Sequence, residues 1–240
     1  LSEMKNIGVP VPMGYTITTE MCNEYYANGG KNSDELLADM REYNKKLEKE
    51  TGKGFGSKTN PLLLSVRSGA RVSMPGMMDT ILNLGLNDDV VEGLVAKTGN
   101  EKWVFDIYRR FIHMFGEVVQ GVEYEAFASV LEDIKVKNNY DSDLELNGDD
   151  WKNVSAQYLA IVEKETGKPF PMDPYVQLEM AVNAVFESWD TPRAVIYRNH
   201  NGIQHNWGTA VNVQEMVFGN ISDKSGTGVL FTRNPKTGTK

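Results

Sequence analysis

Apolar residues recur at helical spacing through much of this chain. Leu36, Leu37, Met40, Tyr43 and Leu47 fall on one helix face, between Ser33 as a cap and Gly52 as a stop. From Asp88 to about Thr191 the pattern is nearly all helical. Asp88 or Asp89 is expected to cap a helix ending near Gly99. Trp103, Ile107, Tyr108, Phe111, Met114, Phe115 and Val118 mark a long amphipathic helix, and Phe127, Val130, Leu131 and Ile134 mark another. Asp149 or Asp150 is expected to cap the helix carrying Val154, Tyr158, Ile161 and Val162. Asp173-Pro174 places a cap before a proline at the first helical position, opening a helix with Leu178, Ala181, Val182, Val185, Phe186 and Trp189.

Strand signals bracket this helical stretch. Leu1 to Met4 reads as the tail of a helix stopped at Gly8, and the prolines of Val9-Pro-Val-Pro12 exclude a central strand there. Tyr15 to Thr18 predicts a short strand, and Thr19 a cap for a helix reaching Asn28-Gly29. The apolar run from Pro61 to Val66 predicts a buried strand, followed by a loop to Asp79 and a return strand from Thr80 to Leu84. After Gly208 the period becomes that of a strand from Ala210 to Phe218. A turn-rich stretch from Gly219 to Gly226, a strand from Val229 to Thr232 and a turn from Asn234 to Gly238 complete the chain. Lys49-Glu-Thr-Gly-Lys53 recurs as Lys164-Glu-Thr-Gly-Lys168, but the likeness ends within a few residues and marks two helix ends rather than a repeated domain. The fold class is α+β with an inserted helical subdomain.

Length and composition narrow the function. The 240 residues suffice for one large domain or two small ones. A formal net charge of −8 argues against nonspecific binding to nucleic acid or an anionic membrane, but a local arginine cluster could still hold a nucleotide. No run approaches the roughly 18 apolar residues of a membrane span. Cys22, without a cysteine partner, gives no intramolecular disulfide and no sign of secretion. The sequons at Asn153 and Asn220 are read as chance, and the expected compartment is the cytoplasm.

The densest chemistry lies in Ser65-Val-Arg67-Ser68-Gly69-Ala70-Arg71-Val-Ser73-Met-Pro75-Gly76-Met-Met78-Asp79-Thr80, directly after the buried strand. Arginine presents a rigid fork to two phosphate oxygens. Ser68, Ser73 and Thr80 add hydroxyl donors, and Gly69 and Gly76 admit an anion close to the backbone. The alternative is a surface loop whose arginines pair with acidic neighbours. Met74, Met77 and Met78 are expected as core or gap filler. Neither a P-loop nor a Rossmann fingerprint is present, since Gly52-Lys-Gly-Phe-Gly-Ser-Lys58 has the wrong spacing and Gly226-Thr-Gly228 is followed by Phe231. His113, His200 and His205 lack metal-site spacing, and His113 is expected to be a partly buried structural residue. Ser225 to Pro235 is a second candidate, a glycine-rich turn between strands that could cover a nucleotide or be an ordinary hairpin.

The stretch from Leu63 to Leu86 resembles the nucleotide-binding signature of the pyruvate, phosphate dikinase family. Ile7 to Pro12, Phe186 to Ala194, Val213 to Asn220 and Ser225 to Pro235 agree in order along the chain. The resemblance implies a partial ATP-grasp-like nucleotide-binding domain with ATP and Mg2+ held between two subdomains. Residues 1–87 and 173–217 would form the first subdomain, 88–172 the helical insert, and 218–240 the start of a truncated lid. By resemblance, Arg67 is the expected catalytic residue and grips the phosphates with Arg71; Gly76 and Thr80 lie in the loop over them, and Arg110 is a further arginine at the site. Ser68, Gly69 and Asp79 join that set, Thr227 and Gly228 match a flap, and Gln214, Glu215, Met216 and Val217 would form a strand edge beside adenine. The family's lysine-bearing segment and its acidic metal ligands are expected before Leu1 and after Lys240, so that truncation at both ends is expected to leave the chain alone inactive. The implied partners are the nucleotide and the parent's phosphohistidine domain, with the parent a homo-oligomer. Two alternatives remain: the phosphoenolpyruvate synthase family, and a noncatalytic docking module built on residues 88–172.

Overall fold

The computed structural model describes residues 2–222 and 224–240; the expectations that touch Leu1 and Asp223 lie outside the described residues. A short helix, α1 (Ser2–Asn6), leads to β1 (Gly14–Ile17), α2 (Thr19–Ala27) and α3 (Asp34–Thr51). Ser33 caps α3 by accepting from the Leu36 amide, and Gly52 ends it in the left-handed region at φ 68°. There follow β2 (Gly54–Phe55), β3 (Pro61–Leu62), β4 (Leu64–Gly69) and β5 (Thr80–Leu84). The helices α4 (Asp88–Thr98), α5 (Glu101–Val118), α6 (Tyr124–Asn138) and α7 (Gly148–Thr166) come next, then α8 (Pro174–Ser188), α9 (Pro192–Asn201) and finally β6 (Ala210–Glu215). The fold is α+β, as the order of periods predicts.

Four strands form an antiparallel sheet in the order β1-β6-β4-β5, and β2 and β3 form a separate parallel pair. The sheet buries one face. Leu64, Val66, Ile81, Val211 and Val213 have no exposed surface and join one continuous core with the apolar stripes of α5, α7 and α8. That core runs from the sheet through the helical stretch without a break. A smaller cluster of Met74, Trp189, Ala194 and Ile203 sits beside it.

Several expectations need correction. The run from Pro61 to Val66 divides at Leu63, because Pro61–Leu62 pairs with β2 while Leu64 opens the main-sheet strand. The caps fall one to three residues earlier than expected, at Thr18, Asn87 and Asn147. Asn87 accepts from the Val90 amide at 2.9 Å, and Asn147 shares a reciprocal capping box with Asp150. Asp88, Asp89, Asp149 and Asp150 thus occupy first turns, where their charge complements the helix dipole. Trp189 is the residue after α8 rather than its last member. A further helix, α9, is present where none was expected, although Thr191-Pro192 repeats the start signal of Asp173-Pro174. Strand β6 ends at Glu215 instead of Phe218. Val229 to Thr232 forms no strand: no partner ladder lies beside it among the described residues, and Val229 and Leu230 are 82% and 92% exposed.

One buried side chain ties α8 to the segment that follows β5. Gln177 of α8 has no exposed surface; its amide donates to the carbonyls of Leu86 (2.9 Å) and Pro171 (2.8 Å) and accepts from the Gly85 amide at 3.0 Å. Leu cannot replace any of these bonds, so Gln177→Leu strands three main-chain groups in the core. The expected loss is about 3 kcal/mol, or roughly 6–12 °C in Tm by calorimetry. A Tm unchanged in Gln177→Leu would remove this tie from the account.

Candidate functional site

The direction of Arg67 follows from its neighbours. Side chains alternate along a strand, and the fully buried Leu64 and Val66 occupy one face of β4. Ser65, Arg67 and Gly69 therefore occupy the other face, where Arg67 is exposed. Register then extends this position across the whole sheet: Arg67 is paired with Thr80 on β5 and with Asn212 on β6, and Asn212 with Thr16 on β1. Paired residues share a face, with Cβ atoms roughly 4.5–5.5 Å apart. The open face thus carries a polar row, Thr16, Asn212, Arg67 and Thr80. Among the described residues, no carboxylate forms an ion pair with Arg67 or Arg71. Among the described residues, the alternative of arginines neutralised by acidic neighbours does not occur. Ser68, paired with Val211, faces the core side and is not brought to Arg67.

The loop between β4 and β5 is braced from below. Met74 is buried against Trp189, Ala194 and Ile203, with Met77, Met78 and Trp207 packed around them, as expected of gap-filling methionines. Under this cluster lies Arg198 of α9, which has no exposed surface. Its guanidinium donates to the Trp189 carbonyl, to Asp190 at 2.9 Å and to His205 Nδ1 at 3.1 Å, and it stacks 4.1 Å from the Trp189 ring. His205 in turn bonds Asn199 at 2.9 Å. The Arg71 guanidinium lies over the Trp207 ring at 5.1 Å, a cation–π contact made by a residue that remains exposed. Gly76, at φ 72°, has open space around it. At the far end Asp79 is bonded to Arg193 at 2.6 Å, and its amide donates to Ser188 Oγ at 3.4 Å. Burial pushes the Asp79 carboxyl up from its ordinary range, while Arg193 acts in the opposite direction.

The remaining expected residues are dispersed. Arg110 projects from α5 beside Leu82 and Asn83, the part of β5 that follows Thr80, and borders a second hollow with Trp103, Asn220 and Ile221. Its Nε is bonded to Asp106, which also takes two bonds from Arg109. Gln214 and Glu215 do not form a sheet edge: β6 is an interior strand, with β1 on one side and β4 on the other. Met216 and Val217 run past its end, where the Met216 amide bonds Leu63 and the Val217 side chain is exposed. Thr227 and Gly228 are exposed in a segment without strands, and among the described residues no hydrogen bond joins them to Arg67 or Thr80. The sequence reading missed Thr16 and Asn212. The polar positions 212 and 214 within Ala210-Val-Asn-Val-Gln-Glu215 were the available signal for Asn212. His113 packs 4.7 Å from the Phe127 ring and close to Tyr124 and Tyr158, and burial lowers its basicity, in keeping with a structural residue. Among the described residues there is no group of three or more His, Cys, Asp or Glu side chains placed to hold a metal ion, and no helix is long and apolar enough to cross a membrane.

Residues 31–240 match the family described as pyruvate phosphate dikinase, AMP/ATP-binding domain. Over its whole length the chain is 53% identical to pyruvate, phosphate dikinase of Rhizobium meliloti, covering 27% of that protein. It is 53% identical to the Giardia intestinalis protein of the same name, again over 27%. The Mesembryanthemum crystallinum protein, named as chloroplastic, is 53% identical with 25% covered. The chain thus spans about a quarter of the length of these relatives.

The Asp79–Arg193 pair gives a test of the loop's electrostatics. With its pKa raised on folding, Asp79 favours the folded state below the ordinary carboxylate range, and that contribution is lost as pH rises through its own titration. Arg193→Gln removes the opposing guanidinium, so the Asp79 pKa is expected to move further up in a carboxyl NMR titration. An unchanged or lowered value would show that Arg193 does not act on Asp79 in solution.

Proposed function

The chain belongs to the pyruvate phosphate dikinase AMP/ATP-binding domain family, and we propose that its open sheet face grips the phosphates of ATP within a pyruvate, phosphate dikinase. The observation that carries this reading is Arg67, exposed on the central strand of a polar row and without a carboxylate partner among the described residues. A side chain rooted on a strand leaves the sheet in a direction set before a ligand arrives, so less backbone ordering is needed on binding. Arg71 and the Thr80 hydroxyl extend the same surface, and Gly76 leaves room for an anion near the loop backbone. Arg110 approaches from α5, and Met216 and Val217 lie where a base could run along main chain.

In the whole protein this site would serve the conversion of ATP, pyruvate and phosphate into AMP, phosphoenolpyruvate and pyrophosphate, through a phosphohistidine on another domain. Transfer of a phosphoryl group depends on positioning and charge neutralisation. In this reading the chain's own part is to hold the phosphates in place with its arginines and hydroxyls. In this reading the magnesium ion accompanying ATP would be held mainly by the phosphate oxygens. Asp79 is engaged with Arg193 and is a poor candidate for a metal ligand. We assign residues 1–87 and 173–217 to the phosphate-gripping subdomain, 88–172 to a helical insert and 218–240 to the beginning of a lid. Residues 1–240 alone would bind nucleotide without completing the reaction. The buried, unpaired Cys22 fits a reducing compartment such as the cytoplasm.

Titration calorimetry of Mg-ATP into the chain tests this directly. Arg67→Ala, at an exposed position, should leave the Tm unchanged and weaken binding by about tenfold or more. Undiminished ATP affinity in a folded Arg67→Ala protein would refute the assignment.

A further inference from the structure

Asn212 stands between Arg67 and Thr16 on the open face, and its amide is held in a defined orientation. The Thr16 hydroxyl donates to Asn212 Oδ1 at 2.7 Å. With the carbonyl end engaged, the Nδ2 end projects over the end of β4: a Cβ added at Gly69 would lie 2.8 Å from it. Gly69 is thus the residue that makes room for this amide at the point where the strand passes into the arginine loop. Among the described residues Nδ2 has no acceptor, although it carries two donor hydrogens. Thr16, Asn212 and Gln214 also line a hollow on this face, into which Lys5 reaches from α1.

Resting on the reading of the open face as a phosphate site, we propose that Asn212 is a second ligand-contacting residue, donating from Nδ2 to a phosphate oxygen held by Arg67. Thr16 is its positioning residue. Direct cross-strand pairing brings the Asn212 and Arg67 Cβ atoms within roughly 4.5–5.5 Å, so both side chains can reach one phosphoryl group. The ligand chemistry is a polyphosphate, either the triphosphate of ATP or free pyrophosphate. A neutral donor complements the guanidinium here. It adds direction without adding charge, and a phosphate oxygen saturates the vacant donor.

The test is calorimetry on the full 240-residue chain with ATP and, separately, pyrophosphate, both with magnesium. Asn212→Asp keeps an acceptor for Thr16 but replaces the amide donor with a carboxylate oxygen. Both ligands should weaken by about tenfold or more, with the Tm confirming the fold. Thr16→Val should weaken both by a smaller factor, about threefold, and should add nothing when combined with Asn212→Ala. A merely structural role for Thr16 would give additive losses. Asn212→Asp that binds both ligands like the parent overturns the proposal, as does a loss with ATP and none with pyrophosphate, which would place Asn212 on the nucleoside. Failure of the parent chain to bind either ligand would refute the phosphate reading of this face, and this inference with it.

Discussion

The burial of Leu64 and Val66 is the constraint from which the site follows. Both lack exposed surface, and each is flanked on its strand by a residue of the opposite face. A one-residue slip of β4 would exchange the faces, placing the Arg67 guanidinium in an apolar core and two aliphatic side chains in water. Burying an unpaired guanidinium is among the most expensive substitutions a core can suffer. The register of β4 is therefore fixed by the core and not by the ligand, and the polar row from Thr16 to Thr80 is aligned before anything binds.

Alignment of the strand would be of little use if the loop beyond it wandered. Its brace is a fully buried charge, Arg198, stabilised by a carbonyl, a carboxylate, an imidazole nitrogen and an indole face. Such a charge is tolerable because its donors are satisfied; removing any partner would expose the cost of its desolvation. The methionines above it adapt to an irregular gap that branched side chains would fit less readily. Rigidity at the base and adaptability at the surface together let the loop hold the Arg71 guanidinium over Trp207 on an exposed residue.

Much of this was legible in the sequence, for reasons that differ by element. The helices α3, α5, α6, α7 and α8 announce themselves through apolar spacing, because a helix face is a local property. The cap positions were misread since Asp-Asp pairs suit both a cap and a first turn, and local chemistry alone does not separate the two. The loop's arginines were legible because two forks, several hydroxyls and two glycines crowd into sixteen residues. Thr16 and Asn212 were not legible, because their meeting depends on pairing β1 with β6 across 196 positions of sequence. The same limit explains Val229 to Thr232: strand propensity is a statement about fitting beside a partner, and the described residues provide none there.

The distribution of carboxylates reconciles a net charge of −8 with an anion site. Asp106 is occupied by Arg109 and Arg110, Asp79 by Arg193, Asp190 by Arg198 and Glu215 by Lys53. These four acidic groups are each matched by a cation that braces structure. Arg67 and Arg71 have no such match among the described residues, and both are exposed. A solvated arginine without a partner costs folding almost nothing, because an exposed ion pair contributes at most about 1 kcal/mol. It also retains its full capacity for a bidentate anion. Pairing the structural cations while leaving these two unpaired lets the local potential be positive where the total is negative. A surface whose arginines were all paired would have to break an existing bond before it could accept a phosphate.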